Sequence, residues 1–395
     1  MNPVEEVVSK IEASVAILPT EQLRPLDAIG RRLAEEIRAD SDIPEFPRSA
    51  MDGYLVRIDD QLEPRQVIAE CPPGDGAMDV PEPGMAVRIF TGSAVPQDDN
   101  VAVLAQEDVT VNGQTILPSL LPDREWIRPP GSHARAGDVL LSMNSMVTPG
   151  AIGLIASLGR TAVAVRARPR VAHVVTGREL VEPGGALGSG QIYDSNSSLV
   201  EALVTDAGAQ LVFQRRVDEA PESLTSALGA APPADLVLVS GGASVGDHDH
   251  TADGLETLGF NLHVRKVNVR PGRPLLFATR GGVAAFGLPG NPLSHFVCFH
   301  LFVRPALERM TGGTCPPDVE ARLSGPVHLV KTRRPTWWPC EWGIDGGHCI
   351  ARPLPWRDSS DLTCLATANG LVHVPAGEGP IDGTARLRPC GRVGR

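Results

Sequence analysis

Three apolar runs in the middle of the chain end in segments rich in glycine, hydroxyl and carboxylate residues. Val171–Val175 leads into Thr176-Gly177-Arg178-Glu179-Leu180, and Leu236–Ser240 into Gly241-Gly242-Ala243-Ser244-Val245-Gly246-Asp247-His248-Asp249. Val283–Phe286 leads into Gly287-Leu288-Pro289-Gly290-Asn291-Pro292, where Asn291 can cap and Pro292 can start a helix. Glycine lets backbone N–H groups approach a phosphate closely, and a nearby hydroxyl adds a donor. One such turn does no more than close a βα unit. Three, two of them carrying carboxylates, point to phosphate and metal chemistry, with Glu179 and Asp249 as hard oxygen ligands for Mg²⁺.

Two further loops carry unusual side chains. Gln191-Ile192-Tyr193-Asp194-Ser195-Asn196-Ser197 precedes a helical pattern, and most of its polarity is accounted for by an N-cap. Lys266-Val267-Asn268-Val269-Arg270-Pro271-Gly272-Arg273-Pro274 gathers three cations around a turn, and strand alternation predicts Lys266, Asn268 and Arg270 on one side. An exposed charged face is the ordinary reading of such a cluster, but an acidic chain with a Pro-Gly turn here favours an anion site. Upstream, Asp52 in Arg48-Ser49-Ala50-Met51-Asp52-Gly53-Tyr54 and Thr91 in Ile89-Phe90-Thr91-Gly92 stand out from their surroundings. Periodicity does not bring them to the α/β loops.

The elements that position these residues follow from pattern. The runs at 171–175, 211–213, 236–239, 262–267 and 283–286 read as strands, and the helical patterns 197–207, 222–228, 251–258 and 293–310 separate them. That alternation predicts a doubly wound, mostly parallel α/β sheet over about 170–312, with ligands beyond the carboxyl ends of its strands. Val4, Val7, Val8, Ile11, Val15 and Leu18 predict a helix over 4–18 capped by Asn2, and a second helix is expected over 28–39. Thr148-Pro149 opens another, running to Leu158. Between Ile43 and Ser132, short apolar runs (86–90, 101–104, 115–117) predict a small β-rich domain, and the turn-rich tail after Met310 a second one.

Composition narrows the class. The 395 residues carry a formal charge of −11 without a basic stripe, which argues against a nucleic-acid partner. No uninterrupted apolar stretch reaches the length of a membrane span, and the acidic, amphipathic N-terminus is unlike a secretory signal. Seven cysteines without a Cys-x-x-Cys pair indicate neither a disulfide framework nor a zinc ribbon, so a cytoplasmic location is expected. Asp247-His248-Asp249-His250 and the tail residues Cys340, His348 and Cys349 invite a transition-metal reading, but buried free thiols and turn histidines account for them more simply. Of 36 basic residues only Lys10, Lys266 and Lys331 are lysines. Lys266 therefore departs from the chain's own habit inside the candidate anion site, where a compact ammonium differs from a planar guanidinium.

The motifs Ser-Ala-Met-Asp-Gly-Tyr (49–54), Ile-Phe-Thr-Gly (89–92), Gln-Glu-Asp (106–108), Gln-Ile-Tyr-Asp-Ser-Asn (191–196), Ser-Gly-Gly-Ala-Ser-Val-Gly-Asp (240–247), Arg-Pro-Gly-Arg-Pro (270–274) and Gly-Leu-Pro-Gly-Asn-Pro (287–292) together resemble the molybdopterin molybdenumtransferases, the MoeA-type enzymes also found as the gephyrin E domain. The resemblance runs in order from about residue 3 to 310. It implies an α/β, multidomain chain in five segments: an N-terminal helix (1–23) on the α/β domain, a connecting domain (24–48 and 134–168), a β-rich domain (49–133), a molybdopterin-binding α/β domain (169–312) and a C-terminal β barrel (313–395). It also implies a homodimer with the active cleft between subunits, and contact with a molybdopterin adenylyltransferase and acceptor molybdoenzymes. The implied reaction inserts molybdenum from molybdate into adenylylated molybdopterin, with Mg²⁺-assisted release of AMP.

Matched motif by motif, Asp52, Glu179, Asp249 and Lys266 correspond to catalytic positions, and Glu179 and Asp249 to metal ligands. Thr91, Asp218, Gly241, Gly242, Ser244, Gly246, Arg270, Arg273, Pro289, Asn291, Pro292 and Ser360 correspond to substrate contacts. The chain departs from the family where Gly131-Ser132-His133 replaces Gly-Glu-Asp, where Arg178 replaces Asp, and where Arg270 and Arg273 replace lysines. Histidine favours softer divalent ions than Mg²⁺, whereas arginine still binds phosphate, bidentately. Two other readings stand beside this one. An adenylyltransferase or nucleotide hydrolase on the same α/β core would not need residues 49–133 or the tail, and a non-catalytic pterin scaffold or carrier would bind adenylylated pterin without turnover.

Overall fold

The computed structural model describes residues 2–242, 250–327, 332–377 and 381–391. The chain forms two compact units, one comprising 1–23, 30–32 and 164–395, the other 24–29 and 33–163.

The larger unit is built on a six-stranded sheet in the order Gln210–Val217, Arg170–Thr176, Leu236–Ser240, Val283–Leu288, Leu276–Arg280, Asn261–Val264. The first four strands are parallel and the last two join antiparallel. The expected alternation is thus present, with one strand that pattern reading passed over, Leu276–Arg280. It follows directly on the Arg-Pro-Gly-Arg-Pro turn and forms a hairpin with Val283–Leu288. The central strands are buried on both faces, as the all-apolar runs Leu236–Val239 and Ala284–Phe286 require.

The segment after Val264 is not a ladder strand. Among the described residues it makes isolated bridges alone, Asn2 with Val267 and Arg270 with Thr336. The predicted alternation of burial nonetheless holds: Val267 and Val269 are buried, while Lys266, Asn268 and Arg270 are not.

The N-terminal helix spans Val4–Ser14 and buries Val4, Val7 and Ile11 against Phe302, Leu307 and Met310. It stops four residues short of expectation. Val15 is extended, and Leu18 N–H donates to Met310 O at 2.8 Å, which draws the chain out of the helix. Pro3, not Asn2, occupies the cap position, and Asn2 O instead accepts from Asn268 N–H.

The predicted helix 293–310 is continuous but changes pitch: α over Pro292–Cys298, π over Phe299–Val303 and α over Arg304–Met310. Pro305 lacks an N–H and would clash with the carbonyl four residues back, so a wider turn ahead of it relieves both problems. Beyond it, Val319–Leu323, His348–Pro353, Thr336–Asp345, Gly370–Val374 and Thr384–Pro389 close a five-stranded barrel around Trp338, Cys340, Val372 and Leu387. Cys340 is buried there and Cys349 half-buried on the next strand.

The smaller unit holds a six-stranded sheet in the order Val101–Ala105, Gly53–Arg57, Met85–Ile89, Arg65–Cys71, Thr115–Pro118, Val109–Asn112. Its core is Leu55, Val87, Ile89, Val101 and Val103 on one face and Tyr54, Val56, Ala102 and Ile116 on the other. The helix Pro149–Ser157 starts where Thr148-Pro149 predicts, with Thr148 Oγ1 accepting from Ala151 N–H at 3.2 Å.

The helix expected over 28–39 is absent. A 3₁₀ turn covers Pro25–Ala28, and Ile37–Arg38 pairs with Val139–Leu141. Leu33 and Ile37 have helical spacing, yet Leu33 N–H donates to Ser145 O and Ala39 N–H to Asp138 O, so the backbone groups are satisfied by another segment. Among the described residues, no helix is long and apolar enough to cross a membrane.

Candidate active site

The carboxyl ends of the parallel strands are held in place by short-range polar contacts. Thr176 ends one strand and Ser240 the next; Gly241 follows with φ +88°, and a Cβ there would lie 2.6 Å from Thr176 O. Only glycine fits that turn. Thr251 Oγ1, from the helix His250–Thr257, donates to Gly241 O at 3.0 Å. The predicted cap is present: Asp194 accepts from Ser197 N–H (3.0 Å) and Oγ (2.6 Å) at the start of the helix Ser195–Asp206. Asn196 then donates from Nδ2 to Gly290 O at 2.7 Å, tying this loop to the Gly287–Pro292 segment.

Around these loops lies a hollow of about 750 Å³ lined by Glu179, Gly241, Gly242, Asn291, Pro292 and Ser360 among others. Six residues predicted separately from sequence are therefore brought together. His250, from the alternating Asp-His segment noted in the sequence, also lines it, as does Glu219, which the pattern did not single out. The structure places Asp218, the neighbour of Glu219, in a different depression of about 410 Å³ with Arg215 and Glu222. Glu179 and Glu219 are both exposed carboxylates lining one hollow, the oxygen chemistry Mg²⁺ prefers, although among the described residues no three His, Cys, Asp or Glu side chains group closely enough to hold a metal ion. Asp249, Ser244 and Gly246 lie outside the described residues.

A second hollow of about 620 Å³ adjoins the first, sharing Gly290 and Asn291, and contains Arg270, Arg273 and Pro289. Arg334, from the segment leading into the barrel, joins Arg270 and Arg273 there, and Arg357 and Asp358 line the same hollow. Arg334 Nη1 donates to Val269 O at 3.1 Å, and the Arg270 guanidinium lies 5.1 Å from the centre of the Trp356 ring. Burial, then the charges of Arg273 and Arg270, push Arg334 below its usual range. Among the described residues none of the three arginines has an ion-pair partner, and Arg273 Nε is buried without a hydrogen bond. With Asp358 as the one carboxylate lining this hollow, the arginines leave an excess of positive charge that suits an oxyanion. Lys266 is exposed on the loop before this cluster and lines neither hollow.

At the rim, Asn291 occupies the cap position of the helix Pro292–Cys298, but its side chain makes no cap bond. Its Nδ2 donates instead to Ser359 Oγ at 2.6 Å. Ser360 donates from Oγ and N to Asp358 Oδ1, and these hydrogen bonds hold the Asp358 carboxyl below the ordinary carboxylate range.

Beneath the first hollow lies a polar cluster that sequence reading passed over. Ser240 Oγ sits 2.6 Å from His173 Nε2 and 2.7 Å from His295 Nε2, all three side chains buried. Burial pushes His173 down to about 3 and His295 to about 4, so both rings are neutral at ordinary pH. The signal available was histidine inside two largely apolar stretches, His173 in Val171–Val175 and His295 and His300 in Leu293–Val303.

In the smaller unit, Asp52 Oδ1 accepts from Thr91 N–H (2.7 Å) and Oγ1 (2.8 Å). The backbone and then the side-chain bond hold the Asp52 carboxyl below its usual range, so it is ionised at neutral pH. Thr91 lines a hollow of about 830 Å³ with Arg48, Arg128, Asp42, Glu45 and His133. His133 thus faces the same hollow as Thr91. Arg178 is exposed on the loop beside Glu179.

Comparison with known proteins agrees with this arrangement. Residues 2–159 match the MoeA N-terminal region (domain I and II), 172–309 the probable molybdopterin binding domain, and 320–383 the MoeA C-terminal region (domain IV). The chain is 34% identical over 365 residues to the molybdopterin molybdenumtransferase of Nostoc sp., covering 89% of this chain and 84% of that protein. It is 32% identical over 395 residues to that of Bacillus subtilis, covering 95% and 90%. The crystal structure of a molybdopterin biosynthesis MoeA protein from Pyrococcus horikoshii superposes with a TM-score of 0.83 at 27% identity, covering 99% of both chains. With matched regions from residue 2 to 383 and relatives above 30% identity over most of its length, the chain belongs to the MoeA family of molybdopterin molybdenumtransferases, transferases of molybdenum cofactor biosynthesis.

Proposed function

We propose that this protein takes adenylylated molybdopterin and molybdate, places molybdenum in the dithiolene and releases AMP. The observation that carries this reading is the pairing of two hollows through Gly290 and Asn291. One presents Glu179 and Glu219; the other presents Arg270, Arg273, Arg334 and Arg357 against the single carboxylate of Asp358. A substrate with a phosphoanhydride at one end and an oxyanion to be captured at the other needs that division of charge.

The side chains divide the work by charge. Arg270, Arg273 and Arg334 bind molybdate or phosphate oxygens, and Lys266, exposed on the preceding loop, adds a point charge from outside the two hollows. Gly241 and Gly242 keep the backbone low enough for phosphate to approach N–H groups. Ser360 and Asn291 orient the substrate from the rim. Glu179 and Asp249, with Glu219 in support, would hold Mg²⁺, which when bound favours departure of AMP by neutralising charge on the phosphoanhydride. Catalysis on this reading is mainly positioning and charge stabilisation. Asp52 and Thr91 serve the same reaction from a cleft formed in a homodimer, and the enzyme works in the cytoplasm between a molybdopterin adenylyltransferase and acceptor molybdoenzymes. Residues 24–48 with 134–168 and residues 49–133 then act as separate domains.

Reconstitution with purified protein, adenylyl-molybdopterin, molybdate and Mg²⁺ tests the proposal by following AMP and cofactor formation. Molybdate-dependent AMP release is expected, largely lost in Asp249→Ala and Lys266→Ala. Bound substrate with no AMP above a protein-free control would overturn the enzyme reading in favour of a pterin carrier.

A further inference from the structure

The buried histidines beneath the first hollow have a fixed hydrogen-bond order. Asn291 O is a backbone carbonyl and accepts only, so the His295 Nδ1 that approaches it at 3.2 Å carries the proton. A neutral His295 then has a bare Nε2, which takes the Ser240 hydroxyl proton at 2.7 Å. With its own proton committed, Ser240 Oγ accepts from His173 Nε2–H at 2.6 Å. That leaves His173 Nδ1 to accept from Gln214 Nε2 at 3.0 Å, and the same Gln214 nitrogen donates to Ser197 O, which fixes the amide orientation. Every polar atom between Gln214 and Asn291 is satisfied, and each bond points the same way.

Ser240 and His295 have the connectivity of an activated nucleophile and its base, with a carbonyl orienting the base. The chemistry does not follow. Desolvation makes His295 a weak base at neutral pH despite Asp194 nearby, and Ser240 is only 1% exposed. The chain also ends on a carbonyl, so it delivers no proton to the hollow. What it does reach is the segment shared by both hollows. Gly290 O is held by Asn196, Asn291 O by His295, and Asn291 Nδ2 by Ser359. Ser240 is followed directly by the Gly241-Gly242 turn.

We propose that Gln214, His173, Ser240 and His295 form a one-directional hydrogen-bond relay that positions the Gly290–Asn291–Pro292 segment against the Gly241-Gly242 turn, making His173, Ser240 and His295 positioning residues of the site. The catalytic part of this inference rests on the proposed reaction; the relay itself does not. Two neutral imidazoles in opposite tautomers are its signature. Imidazole nitrogen spectra of the whole protein labelled only at histidine should show His173 protonated on Nε2 and His295 on Nδ1, both still neutral at pH 5.5. The same tautomer in both rings, or titration of either near 6.5, would overturn it.

Breaking the relay should act locally. In Ser240→Ala and His295→Ala, amide exchange over 289–295 should quicken at least tenfold while exchange over 171–175 is unchanged, and KM for adenylyl-molybdopterin should rise about tenfold. The double variant should lose no more than either single one, because both cut the same chain. Additive losses, equal loosening of 171–175, or an unchanged KM would reject the positioning role. If a variant does not fold, the tautomers in the unmodified protein still decide. A wild-type protein without turnover would sink the proposed reaction and leave the spectral and exchange results standing.

Discussion

Asn291 Nδ2 donates to Ser359 Oγ at 2.6 Å, and two residues on, Leu293 N–H donates to Ser359 O at 3.1 Å. One serine of the tail is therefore held twice by the start of the Pro292–Cys298 helix, and Ser360 is set at the hollow as a result. A cap residue normally spends its side chain on its own helix. Here the helix start goes without that bond, and the side chain fixes a second segment of the site.

Asn291→Ala should thus affect binding more than stability. An exposed neutral hydrogen bond contributes about 0.5–1.5 kcal/mol, so the melting temperature should fall by only a few degrees. KM for adenylyl-molybdopterin should rise several-fold, and Ser359→Ala should reproduce most of that rise. A large loss of stability with unchanged KM would show that the contact is merely structural.

The arginine cluster makes the opposite prediction about stability. Arg270, Arg273 and Arg334 form no ion pair among the described residues, and burial, then the charges of Arg273 and Arg270, push Arg334 down, so the anion-free protein carries a penalty even with Asp358 lining the same hollow. Arg334→Gln should leave the anion-free melting temperature unchanged or raise it. Molybdate should raise the melting temperature of the unmodified protein through preferential binding to the folded state. In the variant that gain should be largely abolished, with molybdate affinity down about tenfold, or about 1.4 kcal/mol. Equal molybdate stabilisation of both proteins would remove Arg334 from the site.

Gly241 is fixed by two independent constraints, a φ of +88° and a missing Cβ that would stand 2.6 Å from Thr176 O. Gly241→Ala should destabilise the protein by about 1–3 kcal/mol, visible in chemical denaturation, and should depress AMP release further by moving the turn. Gly242→Ala meets the Thr251 hydroxyl at 2.8 Å, a side chain that also holds Gly241 O. It should give a milder version of the same loss.

The loops at the carboxyl ends of the strands were legible because their chemistry is local: Thr176 to Glu179, Ser240 to Gly242 and Gly287 to Pro292 each carry their own signal within a few residues. The Asp194 cap and the Thr148-Pro149 helix start were legible for the same reason. What escaped notice depends on distant partners. His173 and His295 meet Ser240 across 67 and 55 residues, and Arg334 joins Arg270 only because Arg270 bridges Thr336 beside the barrel. The predicted helix 28–39 failed similarly, its backbone groups being claimed by residues 138–145. Glu219 was hidden by its neighbour, since from sequence alone Asp218 and Glu219 are equally good acids, and only the turn after the edge strand decides which one faces the hollow.

His300 offers a test of what an unpartnered buried imidazole costs. It lies in the π turn, packed edge-on to Phe296 (4.5 Å between centroids) and Phe299 (5.7 Å), and neither ring nitrogen has a hydrogen-bond partner among the described residues. Burial, then the charges of Arg304 and Arg388, push it down to about 3. A histidine whose pKa is lower in the folded than in the unfolded chain contributes least penalty when it is neutral in both. Stability is therefore complete above about 6.5 and is lost as pH falls from there toward 3, because the unfolded state takes up the proton first. His173 and His295 add to the same slope over their own windows, down to about 3 and about 4. His300→Phe removes two unsatisfied polar atoms from an aromatic pocket, which should stabilise the protein by about 1–3 kcal/mol at neutral pH. It should also flatten the decline between pH 6.5 and 4 by one histidine's share. Urea denaturation at pH 7.5 and 5 measures both effects, and an unchanged pH slope in the variant would mean that His300 titrates alike in folded and unfolded chains.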